Sequence, residues 1–205
     1  PESGDRKHDY GAGARLWVNA IDKTKNLIDE RALQTAVRLL TKADRVYVFG
    51  VGHSGESARD YVKTWLRIGL IAQAETDPHI QTQISSLLSP KDTVIALSLS
   101  GHTKDVYESV KLAKTNGARV ITISNDLTSP IASLGDARLQ TAVSEFNTVG
   151  SVSGQVSQLY LCDVLARGYE KMAGVDTDAL KERALKALMK KAILAIVGAV
   201  SRLPA

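Results

Sequence analysis

The chain has 205 residues, a formal net charge of +4 and one cysteine, Cys162. This length suits one domain with a full core, and the balanced composition is typical of a soluble globular protein. A single cysteine excludes an internal disulfide and a cysteine-based metal site, and in "QLYLCDVL" we expect it to pack within a helix. The longest apolar run, Ala192–Val200, is too short to span a bilayer, and no signal peptide opens the chain. We therefore expect a cytoplasmic protein without membrane contact.

Most of the net positive charge lies at the C-terminal end. From residue 176 onward, six Lys or Arg residues stand against three acids. The rest of the chain carries no basic field of the kind that nucleic-acid binding usually needs. We therefore expect no DNA binding by this chain alone.

Helices and strands alternate along most of the chain. Two amphipathic helices come first, the second with Asp29 as its N-cap; their apolar positions are Trp17, Ala20, Ile21, Leu27 and Ile28, then Leu33, Ala36, Val37 and Leu40. Strands are predicted at 45–49, 70–75, 93–100, 119–124 and 137–141, and helices between them at 54–68, 78–88, 103–116, 129–134 and 151–172. This alternation predicts an α/β fold with a five-stranded, parallel, doubly wound sheet and right-handed crossovers.

The chain ends in a segment of different character. "DALKERALKALMKK" is rich in strong helix formers. "AILAIVGAV", which follows it, is apolar on every side of a helix and must be buried in a soluble protein. The groove of a partner subunit is one natural place for it.

Two glycine loops follow the first and third predicted strands. "GVGHS" (50–54) and "SLSGHT" (98–103) each open a helix, at the sheet edge where ligands of such folds bind. Glycine lets a ligand approach the backbone closely, and a helix N-terminus offers free N–H groups to an anion. Both loops are therefore candidate phosphate sites.

The first loop alone also matches a dinucleotide site. Gly50, Gly52 and Gly55 have the spacing of the fingerprint, and Glu75 and Asp77 lie about 20 residues beyond, where a ribose-binding carboxylate belongs. A dinucleotide pyrophosphate, however, leaves the second loop without a role. A dinucleotide-dependent oxidoreductase is therefore the least favoured hypothesis.

The second loop favours a smaller ligand. Ser98, Ser100 and Thr103 place three hydroxyls around Gly101, and with Ser54 they predict four hydroxyls at one edge of the sheet. Such hydroxyls and nearby N–H groups can satisfy the oxygens of a phosphomonoester without a lysine. The alternative is that these residues only cap the helices that follow them.

The pair "GVGHS" and "SLSGHT" resembles the phosphosugar-binding signature of the sugar isomerase (SIS) domain. The stretches "ADRVYVFGVGHSG", "LAKTNGARVITIS" and "SQLYLCDVL" are similar to the effector domain of RpiR-type bacterial transcription regulators. The resemblance runs from about Ala43 to Val164. It implies helices at 1–42 that bridge to another domain, the SIS domain at 43–174, and a C-terminal helix at 175–205 that is a candidate for the oligomer interface.

By that resemblance the ligand is a sugar phosphate, and no cofactor or metal is expected. Its phosphate would be bound by Gly52, Ser54, Ser98, Ser100, Gly101, His102 and Thr103, and its sugar by His53, His79 and Gln155. The family's DNA-reading helix-turn-helix domain has no counterpart in this sequence. The chain, which begins at Pro1, is therefore expected to be an excised effector domain or else a stand-alone phosphosugar protein.

An aldose–ketose isomerase needs a base above the reacting carbons. In isomerases of the family this is often a glutamate at the start of the long helix, where this chain has Gln155. If the protein were an isomerase, Glu145 and His79 would be the candidate catalytic residues, with Glu56 expected on a solvated helix flank. The sequence thus favours a sensor, with the isomerase as the alternative.

A sensor of this kind shifts the geometry of an oligomer, so we expect a homodimer or tetramer. The apolar faces at Trp17, Ile21 and Ile28 and at Ala192–Val200 are the candidate interfaces. Packing of the first face against the chain's own sheet is an equal alternative.

Overall fold

Five parallel strands form one sheet in the order β2-β1-β3-β4-β5. A computed structural model describes residues 10–143 and 152–200. The strands are β1 Arg45–Phe49, β2 Ala72–Glu75, β3 Asp92–Leu97, β4 Arg119–Ser124 and β5 Ala137–Gln140. The helices in the described residues are α1 Tyr10–Asn26, α2 Glu30–Lys42, α3 Gly52–Leu66, α4 Pro78–Ser86, α5 Lys104–Thr115, α6 Pro130–Ser133, α7 Ser153–Met172 and α8 Thr177–Val200. The predicted fold class is confirmed, and the strands follow the flavodoxin-like order.

The sheet is buried on both faces because helices cover each side. Alternate residues of a strand point to opposite faces, so Ile95 and Leu97 pack under α2, α3 and α7 while Val94 and Ala96 pack under α5 and α6. All six residues of β3 are buried, including its polar first residue Asp92. This explains why the central strands are almost continuously apolar.

Several element ends differ from the sequence prediction by a few residues. The first helix ends at Asn26, so Leu27 and Ile28, predicted as part of its apolar stripe, lie in the link to α2. Asp29 is the N-cap of α2, as predicted, and its carboxylate accepts the N–H groups of Arg31 and Ala32 at 2.8 and 3.0 Å. The strand β3 stops at Leu97, which leaves Ser98 and Ser100 in a loop.

Cys162 lies in α7 and is buried, as predicted. Burial raises the pKa of its thiol to about 12, so the reactive thiolate is suppressed at neutral pH. Within the described part of the chain, no helix combines the length and the apolar character that a membrane span requires.

The start of β3 is held by a buried carboxylate. Asp92 accepts Nε and Nη2 of Arg45, both at 2.7 Å, and also the N–H and hydroxyl of Ser89, both at 2.8 Å. The Arg45 hydrogen bond, followed by those of Ser89, keeps the pKa of Asp92 below its usual value against the opposing effect of burial. This cluster fixes the amino ends of β1 and β3 together, at the edge opposite the glycine loops.

We predict that Asp92→Asn lowers the free energy of unfolding by about 2 kcal/mol at pH 7, because charged hydrogen bonds to a buried group are lost. A carboxyl whose folded pKa is lowered stabilises the fold above its unfolded pKa of about 4 and loses that contribution as the pH falls through the folded pKa. The difference between the two proteins is therefore expected to shrink below about pH 4. Urea unfolding at pH 7 and pH 3 measures both effects.

Asp44→Asn is the matched control, because Asp44 is largely exposed and lies 4.0 Å from Lys91. It is expected to change stability by less than about 0.5 kcal/mol. Equal effects of the two substitutions at pH 7 would contradict the assigned role of Asp92.

Candidate phosphate site

The two glycine loops lie side by side at the carboxyl edge of the sheet. They follow β1 and β3, which pair directly, with Phe49 opposite Ala96. Neighbouring strands lie about 4.8 Å apart, so the two loops begin within one strand spacing of each other. The expectation that both loops reach one edge of the sheet therefore holds in the structure.

The start of α7 touches both loops. Gln158 donates its side-chain N–H to the hydroxyl oxygen of Ser54 in the first loop, at 3.0 Å. A methyl group added at Gly154, one turn earlier, would lie 2.4 Å from Cδ2 of Leu99 in the second loop. Residues four apart share one face of a helix. A single face of α7 thus closes against both loops.

The second loop is built from hydrogen bonds among its own residues. The hydroxyl oxygen of Ser98 accepts the N–H of Gly101 at 3.1 Å and shares a 3.0 Å hydrogen bond with the hydroxyl of Thr103. The hydroxyl oxygen of Ser100 accepts the N–H of His102, also at 3.1 Å. The loop therefore brings three predicted hydroxyls into one compact turn.

Helix capping does not account for these hydroxyls. Thr103 is the N-cap residue of α5, yet its side chain makes no capping hydrogen bond. Helix α3 begins at Gly52, so Ser54 lies inside it. The N-cap residue of α3 is Val51, which makes no capping hydrogen bond through its side chain. The N–H groups at the start of both helices are thus without a side-chain cap from these residues, which is the arrangement that anion sites use.

A third loop, between β4 and α6, supports the second. Gly101 has a φ of +68°, and a methyl group there would lie 1.9 Å from Oγ of Ser129. The N–H of Ile131 donates to the carbonyl of Gly101, and that of Asn125 donates to the carbonyl of Leu99. Only glycine fits this left-handed position so close to the neighbouring loop.

His102 lies on the exposed side of the second loop, close to a carboxylate. Its ring Nδ1 lies 2.7 Å from the carbonyl oxygen of Ser100 and must carry the proton, because a carbonyl only accepts. The hydroxyl and N–H of Thr128 hold the pKa of Asp126 below its usual value, and the nearby His102 adds to this effect. An ionised carboxylate therefore lies beside the second loop.

The remaining predicted residues have varied positions. Gly52, with a φ of +56°, and His53 are exposed in the first turn of α3, and His79 is exposed at the start of α4, where Asp77 caps its N–H. Gln155 is half-buried in the first turn of α7, and Glu145 lies outside the described residues. Glu56 is exposed and paired with Arg59, as expected for a solvated flank.

The two carboxylates that a dinucleotide site would need accept hydrogen bonds from the protein backbone. Glu75 accepts the N–H groups of Thr76 and Asp77, and Asp77 caps α4 through His79 and Ile80. Both carboxylates therefore stabilise the turn between β2 and α4. Among residues 10–143 and 152–200, no group of three or more His, Cys, Asp or Glu side chains is placed to hold a metal ion.

Sequence reasoning missed Gln158. It occupies a buried stripe on α7 whose other members include Gly154, Leu161, Cys162 and Leu165. A glutamine in such a stripe is itself a signal, because a buried amide needs hydrogen-bond partners. The family resemblance pointed instead to Gln155, about one turn earlier.

Comparisons with known proteins identify the family of this chain. The SIS domain family matches residues 39–167. The HTH-type transcriptional regulator RpiR of Escherichia coli K12 is 33% identical over 149 residues, which are 72% of this chain and 50% of that protein. The chain spans between 50% and 62% of the length of four curated relatives that it matches.

Solved structures share the fold. The Vibrio vulnificus NanR protein complexed with ManNAc-6P has a TM-score of 0.82 and 27% identity, over 87% of this chain and 69% of that one. A Methanococcus jannaschii protein whose structure infers a function of 3-hexulose-6-phosphate isomerase has a TM-score of 0.66 and 20% identity, over 84% and 96% of the two chains. The matched family model covers the sheet, both glycine loops and the start of α7, so this chain belongs to the SIS domain family, with RpiR-type regulators among its relatives.

Proposed function

We propose that this chain is the sugar-phosphate-sensing effector domain of an RpiR-type transcription regulator. The observation that carries the proposal is that three serine hydroxyls hydrogen-bond to the protein in the same direction. Ser54, Ser98 and Ser100 each accept an N–H from the protein through the hydroxyl oxygen. A hydroxyl has one proton, and none of these three bonds uses it. The further hydrogen bond between Ser98 and Thr103 uses the proton of one of the two, so this pair keeps one proton for a ligand.

Such an arrangement suits a ligand that only accepts hydrogen bonds. An ionised phosphomonoester carries three acceptor oxygens and close to two negative charges at neutral pH. Hydroxyl protons from two loops, together with the N–H groups at the starts of α3 and α5, match that demand. The relatives support the same class of ligand, since the NanR neighbour was solved with ManNAc-6P.

The position of α1 supports a role in signalling. The backbone N–H of Asn125 donates to the carbonyl of Leu99 in the second loop. The Asn125 side chain donates through Nδ2 to the carbonyl of Val143 at 3.4 Å, and its Oδ1 accepts the N–H of Val143 at 2.8 Å. The next residue back, Ala142, donates its N–H to the fully buried hydroxyl of Thr24 in α1, at 3.0 Å. A continuous set of contacts therefore joins the second loop to the first helix. We infer that a ligand on this loop biases the position of α1, and that DNA is read by a helix-turn-helix domain of a longer protein.

An isomerase is the second candidate, favoured by the fold shared with the Methanococcus jannaschii protein. Three described carboxylates near the two loops already have partners: Glu56 pairs with Arg59, Glu75 with two N–H groups and Asp126 with Thr128. Gln155 has no carboxylate to act as a base. These observations favour binding over catalysis.

We predict that Ser100→Ala and Thr103→Val each weaken the binding of a sugar 6-phosphate such as ManNAc-6P by about tenfold, because each removes a hydrogen bond to a charged group. Calorimetry measures the affinity, and thermal unfolding without ligand checks that the fold is kept. Unchanged affinity in both variants would show that the second loop does not bind the phosphate. Stabilisation by NAD but not by any sugar phosphate would favour the dinucleotide reading instead.

We predict no proton exchange at the carbon next to the carbonyl when sugar phosphates that bind are incubated with the protein in deuterated water. An isomerase removes that proton and returns deuterium, whereas a sensor leaves it in place. NMR of the sugar measures the exchange. Exchange that disappears in a Glu145→Gln variant would overturn the sensor proposal.

We also propose that the protein forms a homodimer or tetramer through α8. Leu185, Leu188 and Met189 are each more than half exposed on this helix, which continues into the apolar segment that ends at Val200. An isologous contact between two copies buries such a face twice. A second copy therefore accounts for a helix surface that the described residues leave exposed.

We predict that Leu185→Ser combined with Leu188→Ser shifts the protein to a smaller assembly. Light scattering after size-exclusion chromatography measures the mass. Leu87→Ser, at another leucine that is mostly exposed and lies after α4, is the control and is expected to keep the parent mass. An unchanged mass for the double variant would remove α8 as the interface.

A further inference from the structure

Gln158 links α7 to the first glycine loop across 104 residues of sequence. The residue is 1% exposed, and its side-chain Nε2 lies 3.0 Å from the hydroxyl oxygen of Ser54. Because this buried amide donates its N–H to a hydroxyl of the candidate site, it fixes the oxygen of that hydroxyl as a hydrogen-bond acceptor. Neither the family resemblance nor the sequence pattern assigned a role to this residue.

The backbone of Gln158 is fixed by a second contact with α3, the helix that carries Ser54. The hydroxyl of Tyr61 donates to the backbone carbonyl of Gln158 at 2.5 Å. Tyr61 is fully buried, and burial raises the pKa of its phenol well above the usual value, so the phenol keeps the proton that it donates. One turn further along, Nε1 of Trp65 donates to the carbonyl of Cys162 at 3.2 Å. The distance between α3 and α7 is therefore held by hydrogen bonds as well as by packing.

The chemistry of the Gln158 amide determines the direction of the Ser54 proton. The Nε2 group only donates, so Ser54 must accept in this bond. Its single O–H proton then points away from Gln158. If the carboxamide oxygen or a carboxylate faced Ser54 instead, that proton would be consumed within the protein.

Resting on the function proposed above, we propose that Gln158 is a positioning residue for phosphate binding, which holds the Ser54 hydroxyl as an acceptor so that its proton is presented to the phosphate. In the second loop, backbone N–H groups likewise hold the hydroxyl oxygens of Ser98 and Ser100 as acceptors. Ser54 lies within the first turn of α3 and has Gln158 as its donor. The side chain of Gln158 thus gives the serine of the first loop the same hydrogen-bond direction as the serines of the second loop.

The proposal is tested with a double-mutant cycle and inorganic phosphate as the probe. Gln158→Met keeps the length of the side chain but removes the donor, and Ser54→Ala removes the hydroxyl. We expect each substitution to weaken phosphate binding, Ser54→Ala by about tenfold and Gln158→Met by about threefold or more. In the Ser54→Ala background, Gln158→Met is expected to have no further effect, because Gln158 acts through Ser54.

Gln158→Glu gives a sharper form of the same test. Its carboxylate takes the Ser54 proton and adds a negative charge near the anion, so we expect weaker phosphate binding than in Gln158→Met. Gln34→Ala, at an exposed glutamine on α2, is the control and is expected to bind phosphate as the parent does. Thermal unfolding of every variant, measured without phosphate, separates loss of binding from loss of fold.

The outcomes separate this inference from the proposed function. Parent affinity in Gln158→Met or Gln158→Glu would overturn the inference, as would an equal loss from Gln158→Met with and without the Ser54 hydroxyl. If the parent protein bound neither phosphate nor any sugar phosphate, the proposed function itself would fail. A loss from Ser54→Ala alone, with Gln158→Met unchanged, would leave the proposed function standing and remove Gln158 from it.

Discussion

Whether the hydroxyls at the carboxyl edge of the sheet can bind a phosphate depends on the direction of their hydrogen bonds to the protein. At Ser54, Ser98 and Ser100 the protein supplies an N–H to the oxygen. The protons of Ser54 and Ser100 therefore remain for other acceptors, and the Ser98–Thr103 pair, which uses one proton in its shared hydrogen bond, keeps one more. Had the protein supplied carbonyl groups instead, the same residues in the same places would repel an anion. The proposed phosphate site thus rests on hydrogen-bond direction as much as on residue identity.

Direction of this kind needs a rigid scaffold, and the packing of α7 provides it. Leu161 and Leu165 of this helix pack in the core beneath one face of the sheet, while Gly154 and Gln158 touch the two loops. Further along, a methyl group added at Gly168 would lie 2.6 Å from Val37 of α2, so the same helix also packs closely on the N-terminal helices. One helix therefore connects the candidate site with the part of the chain that leads, in the proposed regulator, to its DNA-reading domain.

The fold was predictable from sequence because its signals are local and repeat. Apolar runs such as "RVYVF" and "RVITIS" alternate with helical patterns, and Gly117 ends α5 with a φ of +89°. The ends of elements were harder, since nothing local separates the last residues of a strand from the loop that follows. Thus Ser98 and Ser100, which the sequence pattern predicts as strand residues, lie beyond the end of β3 at Leu97.

The second loop was predictable for the same reason, because Ser98 to Thr103 are contiguous. Gln158 and Thr24 could not be identified in this way. Their partners, Ser54 and Ala142, lie 104 and 118 residues away, and only the folded chain brings them together. A polar residue within a buried helical stripe is the one sequence feature that marks Gln158 as unusual. It indicates a buried hydrogen bond but does not name the partner.

Sensor and isomerase share the requirement that both loops bind one phosphate, and that claim is central. A crystal structure of the protein with ManNAc-6P, or with whichever sugar phosphate binds, tests it most directly. We expect phosphate oxygens within hydrogen-bond distance, about 2.5–3.0 Å, of Oγ of Ser54 and of hydroxyls in the Ser98–Thr103 loop. A phosphate bound to one loop alone would contradict this expectation, as would a ligand seated in the groove that Thr64 of α3, Arg167 of α7 and Lys181 of α8 line.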